Sequence, residues 1–231
     1  MGDVRERLSA VWERIETACA QSGRPAGSVK LVAVTKGVPV AQIVAAVKAG
    51  VTAVGESRAQ EAREKWPVLP TGVERHFVGH LQANKIKYVL SSMDLLHSLD
   101  RWSLAQDVAR AAASRGATVK ALLQVNIAGE ATKGGLRPGE LAEVVRRLAE
   151  LPGLSIEGLM TMAPYSPDPA AARPVFAACR TLAAAIADLR LPKVSMAQLS
   201  MGMSGDYPAA VSEGATLVRI GAAIFGERQG G

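Results

Sequence analysis

Cysteine is nearly absent: Cys19 and Cys179 are the only two in 231 residues. They lie far apart in helical patterns, which excludes a disulfide scaffold and reads both as small buried hydrophobes. Histidine is also scarce, with His76, His80 and His97 alone. His76 falls inside an expected strand, a poor spacing for zinc, so no metal site is expected. Aromatic residues make up only 4% of the chain. No basic strip is interleaved with aromatics, so the net charge of +6 does not mark a nucleic-acid surface. The basic residues are scattered among acidic ones, a pattern that aids solubility and attracts small anions. Apolar runs break off short of membrane-spanning length. The opening Met1-Gly2-Asp3 leads into a charged helix and lacks a secretory pattern. A reducing, cytoplasmic location without a membrane or nucleic-acid partner is the expectation.

What the chain does have is small apolar residues, chiefly Ala and Val, and 22 glycines. These suit close helix–sheet packing. Val4, Leu8, Val11, Trp12, Ile15 and Cys19 recur at helical spacing, giving an N-terminal helix and lead-in over residues 1–29. Strand signals then recur at 31–35, 52–55, 76–78, 95–99, 121–126, 156–160, 193–197 and 216–220, most of them followed by a helical pattern. Eight strand-plus-connection units with no linker predict a single (β/α)8 TIM barrel over 1–231, with the extra helix packed on it. The third helix, around Lys87, is the most weakly written. An open doubly wound sheet fits less well, because no dinucleotide glycine fingerprint follows strand one.

In such a barrel every strand exit faces one end, and ligands gather there. Strand one, Leu31-Val32-Ala33-Val34-Thr35, ends in Lys36. An ammonium at that place either snorkels to the rim or serves a ligand. The exits also bring in Glu56 and Arg58, His80 and Asn84, His97, Asn126 and Lys133, and Thr161 and Tyr165. Ser200 to Ser204 offers hydroxyls and amides after strand seven, and Gly221-Ala222-Ala223 offers amides after strand eight. Together they suit a phosphate. Arg219 interrupts a buried strand and must be paired or donate to a ligand. An amine, a donor and a phosphate cradle match the needs of pyridoxal phosphate. A sugar phosphate bound through a lysine Schiff base fits nearly as well. His80 and His97 read as hydrogen-bonded rim residues.

Several of these stretches carry a family likeness. They are Leu31–Lys36, His76–Lys85, His97–Asp100, Leu123–Ile127, Gly158–Met162, Leu199–Ser204 and Val218–Gly226. Over nearly its whole length the chain resembles the pyridoxal phosphate homeostasis proteins (the YggS/PROSC family). That family is similar to the N-terminal barrel of alanine racemase without its second, β-rich domain. The resemblance implies a cofactor, pyridoxal 5′-phosphate, held as an aldimine on Lys36. Ser200, Ser204 and Gly221 would hold the phosphate, Arg219 would face the pyridine nitrogen, and Asn126 joins the cofactor-binding set. It implies a carrier without efficient turnover, whose partners are the cofactor, free amino acids and apo forms of cofactor-dependent enzymes. Without the second domain a monomer is expected. Racemisation with Lys36 as one base is the alternative, and Tyr165 or Tyr207 would have to supply the second base. One motif departs from the family: Ser57 and Arg58 stand where an asparagine and a tyrosine are usual.

Overall fold

The computed structural model describes residues 3–130 and 134–226. The chain begins with α1 (Val4–Gln21), and the Glu6 carboxylate accepts the Asp3 amide at its N-terminus, 3.3 Å away. Strand and helix then alternate in order: β1 (Lys30–Val34), α2 (Val40–Lys48), β2 (Ala53–Glu56), α3 (Ala59–Lys65), β3 (Glu74–Phe77), α4 (Ile86–Val89). They continue with β4 (Leu95–Leu99), α5 (Trp102–Ala113), β5 (Val119–Gln124), α6 (Leu141–Glu150), β6 (Leu154–Met160) and α7 (Arg173–Ala187). The last elements are β7 (Val194–Ser200), α8 (Tyr207–Ser212), β8 (Leu217–Ile220) and α9 (Ala222–Phe225). The eight strands close into a parallel barrel in sequence order, with β8 pairing back on β1. This is the expected (β/α)8 architecture. The weakly written third helix is real but is a single turn, α4.

Alternation along each strand sorts the apolar residues into two cores. Leu31, Ala33, Val54, Leu96, Leu123, Leu199, Val218 and Ile220 face the helices. Val32, Ala53, Leu95, Leu122, Met160 and Leu217 fill the barrel. The interior set is small, and polar side chains occupy the rest of the axis: His76, His97, Ser200 and Arg219 are all buried. The close approach of β6 to β7 depends on Gly158, where a Cβ would fall 1.8 Å from the Gln198 carbonyl oxygen.

α1 packs on α8 and α9. Arg7 Nε donates to the Ile224 carbonyl (2.6 Å), and Arg24 donates to that of Val211 (2.7 Å). The N-terminal helix therefore ties down the elements that follow β7 and β8. The segment Pro169–Ala187 is long and apolar enough to cross a membrane by length and composition, contrary to the sequence expectation. Its apolarity is largely alanine, and Phe176, Cys179, Ala183 and Ile186 are buried from solvent in the outer core.

Candidate functional site

β1 ends at Val34, and Thr35-Lys36-Gly37 form the turn beyond it. Gly37 has φ of 69°, a left-handed value that suits glycine. Lys36 is half-buried at this turn. The turn rests on a polar cluster. Thr35 Oγ1 donates to Glu56 Oε1 (2.7 Å), and the Gly37 amide donates to Glu61 Oε2 (2.7 Å). Lys65 Nζ, from the end of α3, reaches the Thr35 carbonyl (2.7 Å), Glu56 Oε1 (2.9 Å) and Glu61 Oε2 (2.6 Å). The Glu56 side chain is fully enclosed, so it does not open into the barrel mouth with the other strand-exit residues. Burial pushes its carboxyl up, against the pull of Thr35 and Lys65. Burial acts the same way on Glu61, but Lys65 and the Gly37 amide outweigh it and hold that carboxyl low.

Gly221, at the β8 exit, lies against the same strand end. A Cβ there would sit 3.3 Å from the Val34 carbonyl oxygen. Ser204 Oγ accepts from the Gly221 and Ala223 amides, both at 3.3 Å. Two backbone N–H groups thus converge on one oxygen, the arrangement a phosphate oxygen needs. Arg219 pairs in register with Val32, four residues before Lys36. It is 5% exposed, and burial brings its pKa down to about 10, which leaves it charged at neutral pH. It donates to Ser200 Oγ (2.5 Å) and to the Thr161 carbonyl (3.0 Å). Both acceptors are neutral, and among the described residues no carboxylate is paired with it.

Ser200 is displaced from its expected role. The sequence suggested a loop beginning there, but pairing with Met160 extends β7 through it. Its side chain points into the barrel, wholly buried, with its hydroxyl shared between Arg219 and His97 Nδ1 (2.8 Å). It supports Arg219, and the amide cradle belongs to Ser204. His97 is likewise no rim residue: it is completely buried on β4. His80 does stand at the rim, bonded to Asp100 Oδ2 at 2.9 Å. The Asn126 amide donates to the Glu130 carbonyl of its own exit loop, 2.8 Å away. Arg58 is exposed and meets Glu61 at 3.3 Å. Lys133 lies outside the described residues. The sequence reading missed Lys65. Its i, i+4 spacing from Glu61 was visible, but its reach to Glu56 on β2 was not. His76 was placed in a strand without a role, and the alternation that turns it inward was the available signal.

A closed parallel barrel with a lysine after its first strand, a buried guanidinium on its last and an amide cradle beyond defines a class of phosphate-ligand barrels. The family model "Alanine racemase, N-terminal domain" matches residues 6–229. A curated relative in Aquifex aeolicus, the pyridoxal phosphate homeostasis protein, is 42% identical over 97% of this chain and 98% of its own. The protein of the same name in Deinococcus radiodurans is 48% identical over 94% and 99%. The structure of PipY from Synechococcus elongatus with pyridoxal phosphate (PLP) bound superposes with a TM-score of 0.82 at 37% identity, covering 96% of this chain and all of that one. The chain belongs to the pyridoxal phosphate homeostasis proteins, within the alanine racemase N-terminal domain family.

Proposed function

We propose that this protein binds pyridoxal 5′-phosphate and carries it reversibly on Lys36, serving intracellular homeostasis of the cofactor without efficient turnover. The observation that carries this reading is Arg219, a buried cation whose hydrogen-bond acceptors among the described residues are both neutral, with Asp206 acting on its charge without bonding it. Among the described residues only two of the five guanidinium N–H donors are used, by Ser200 and Thr161, and a desolvated charge of this kind calls for a ligand acceptor. The PLP-bound PipY structure, a full-length relative, supports naming that ligand.

When bound, the cofactor supplies an aldehyde that condenses with an amine, releasing water, and whose ring can withdraw electrons. In this reading Lys36 provides the amine, and the Thr35–Glu56–Lys65 cluster fixes the turn that presents it. The Gly221 and Ala223 amides and the Ser204 hydroxyl take the phosphate, and Asn126, at the β5 exit, joins the cofactor-binding set. Arg219 faces the ring nitrogen. A charged guanidinium there disfavours protonation of that nitrogen, because two cations would adjoin. Electron withdrawal is then weak, which favours storage over transamination or decarboxylation.

Racemisation needs a second base facing Lys36. Tyr165 is 95% exposed, and Tyr207 is buried in the outer core with its hydroxyl near Arg14. Neither is enclosed in the barrel, which supports carrying over turnover. Exchange would then run between Lys36 and the amines of free amino acids or of apo enzymes, with the carrier a cytoplasmic monomer.

Borohydride reduction of the loaded protein followed by peptide mapping tests this. The pyridoxyl group is expected on Lys36 and is lost in Lys36→Ala. A label elsewhere under saturating cofactor refutes the site. Turnover of alanine or serine at about 1 per second or faster would favour the racemase.

A further inference from the structure

Behind Arg219 a single file of polar groups runs down the barrel axis. Arg219 bonds Ser200 Oγ at 2.5 Å, and Ser200 Oγ bonds His97 Nδ1 at 2.8 Å. His97 Nε2 lies 2.9 Å from His76 Nδ1, and His76 Nε2 lies 3.0 Å from Glu74 Oε2. Glu74 Oε1 accepts from Lys30 Nζ at 2.5 Å. The four inner groups are contributed by β3, β4, β7 and β8 and are all buried. The file ends at a cavity of about 660 Å³ at the strands' N-terminal ends, lined by Lys30, Glu74, His76, Asp94, Lys120 and Gln198.

With both imidazoles neutral, every proton in this file is assigned by the chemistry of its ends. A guanidinium only donates. Ser200 Oγ therefore accepts from Arg219 and has its own proton to give, and His97 Nδ1 is its other partner. A neutral His97 that accepts at Nδ1 is protonated at Nε2, so it donates to His76 Nδ1. His76 in turn is protonated at Nε2 and donates to the Glu74 carboxylate. Burial first, and then the charge of Arg219, act to keep His97 neutral, in agreement with this assignment. The bonds all point one way, from the cation at the cofactor end to the carboxylate at the far mouth. Aligned bonds of this kind polarise one another in a low-dielectric interior.

We propose that Ser200, His97 and His76 are positioning residues for Arg219, a one-directional hydrogen-bond chain anchored on Glu74 that locks the guanidinium from the side facing away from the cofactor. This rests on the reading that Arg219 faces the ring nitrogen of bound PLP. The chain explains how a buried guanidinium keeps one orientation with no carboxylate bonded to it among the described residues. A carboxylate there would compete with the ring nitrogen for the same donors, and the relay moves the negative end to the opposite mouth.

Two readouts test the proposal. In the apoprotein, ¹⁵N NMR of the imidazoles should show His97 and His76 neutral and protonated at Nε2. A His97 protonated at Nδ1 would overturn the assignment without any reference to the cofactor. In the loaded protein, His97→Leu removes the acceptor for Ser200. Cofactor retention should weaken about five- to tenfold, the equivalent of about one hydrogen bond, and the ratio of the cofactor's long-wavelength absorption bands should shift. His97→Asn keeps an acceptor oxygen near the Nδ1 position and should restore the wild-type ratio. If the Leu and Asn variants behave alike, or if both match the wild type, the positioning role is refuted. Ser200→Ala cuts the same link with a smaller side chain and replaces His97→Leu should that variant fail to fold. The wild type separates the two readings. A wild type that does not label on Lys36 defeats the carrier reading and the relay with it. A wild type that labels while its variants keep an unchanged spectrum defeats the relay alone.

Discussion

Replacing Lys65 by methionine tests whether the turn carrying Lys36 is held by charge. The Glu56 side chain is fully buried and that of Lys65 is 12% exposed. Removing the lysine leaves a carboxylate in the barrel wall with only the Thr35 hydroxyl, since its Oε2 already has no partner. Breaking a buried pair from one side costs about 3–5 kcal/mol. The surviving Thr35 bond places this case near the lower end, at about 3 kcal/mol. For a chain of this size that is a fall in Tm of about 6–12 °C.

The pH dependence identifies the cause. The folded-state pKa of Glu56 is already raised above its ordinary value of 4.5, and loss of Lys65 raises it further. A carboxyl raised on folding favours the folded state below 4.5, and that stability is lost as pH rises through the folded pKa. Glu61 is held low partly by Lys65, so its contribution is present above 4.5 and is also removed by the substitution. Both effects make the variant's deficit grow with pH, small near about pH 4 and full near about pH 8. Thermal denaturation at several pH values measures this. The double variant Glu56→Gln/Lys65→Met should recover most of the loss at high pH. A Lys65→Met protein within about 2 °C of wild type at pH 8, or a double variant no more stable than the single, would show that the buried charge is not what the lysine compensates.

Other predictions follow from single contacts. Ser204→Ala removes the oxygen on which the Gly221 and Ala223 amides converge. PLP affinity by fluorescence titration should fall about fivefold, roughly 1 kcal/mol, and an unchanged affinity would take the phosphate away from this cradle. The Glu74 carboxyl is held at about 2, first by His76 and then by Lys30 against the effect of burial. A carboxyl depressed on folding lends stability above 4.5 that is lost as pH falls towards 2. Glu74→Gln should therefore flatten the acid limb of denaturant midpoints in that window, and an acid limb as steep as wild type argues against the contact. Gly158→Ala would place a Cβ 1.8 Å from a backbone oxygen of β7, where no side chain can give way. The expected cost exceeds about 4 kcal/mol, read as loss of soluble folded protein. A Tm near wild type would contradict the close strand approach.

The barrel was legible because its period is written in apolar runs. Each of the eight predicted strands overlaps an observed one, and β4 agrees at both ends. The errors lie where pairing with a neighbour, and not local composition, decides the structure. Ser200 reads as the first residue of a Ser/Gly loop, but β6 draws it into the sheet. His97 stands in an apolar strand among leucines, and only the pleat reveals that it faces the axis. Lys36, Arg219 and Gly221 were identifiable singly, as a terminal amine, an interrupted strand and a glycine before a turn. Lys65 was not, because its role depends on α3 lying across the β1 and β2 exits, a relation between elements distant in sequence.

Among the described residues, two of the charge systems at the barrel have different consequences. Beneath Lys36 the compensation is ionic and local: Lys65 pairs with both Glu56 and Glu61, and Arg58 meets Glu61 as well, within the turn's own support. Behind Arg219 it is neutral and remote, with hydroxyl and imidazoles intervening before Glu74. Had a carboxylate stood at Arg219, the cation would be satisfied without a ligand, and less would be gained by binding one. A guanidinium leaning on neutral acceptors is instead under-compensated, so an acceptor entering from the mouth relieves desolvation as well as filling space. Ligand binding to the folded state alone then raises stability with the logarithm of ligand concentration. In the proposed reading, the same residue that would weaken electron withdrawal from the ring would also draw the ligand in. In the proposed carrier, retention and weak electron withdrawal would then come from one side chain.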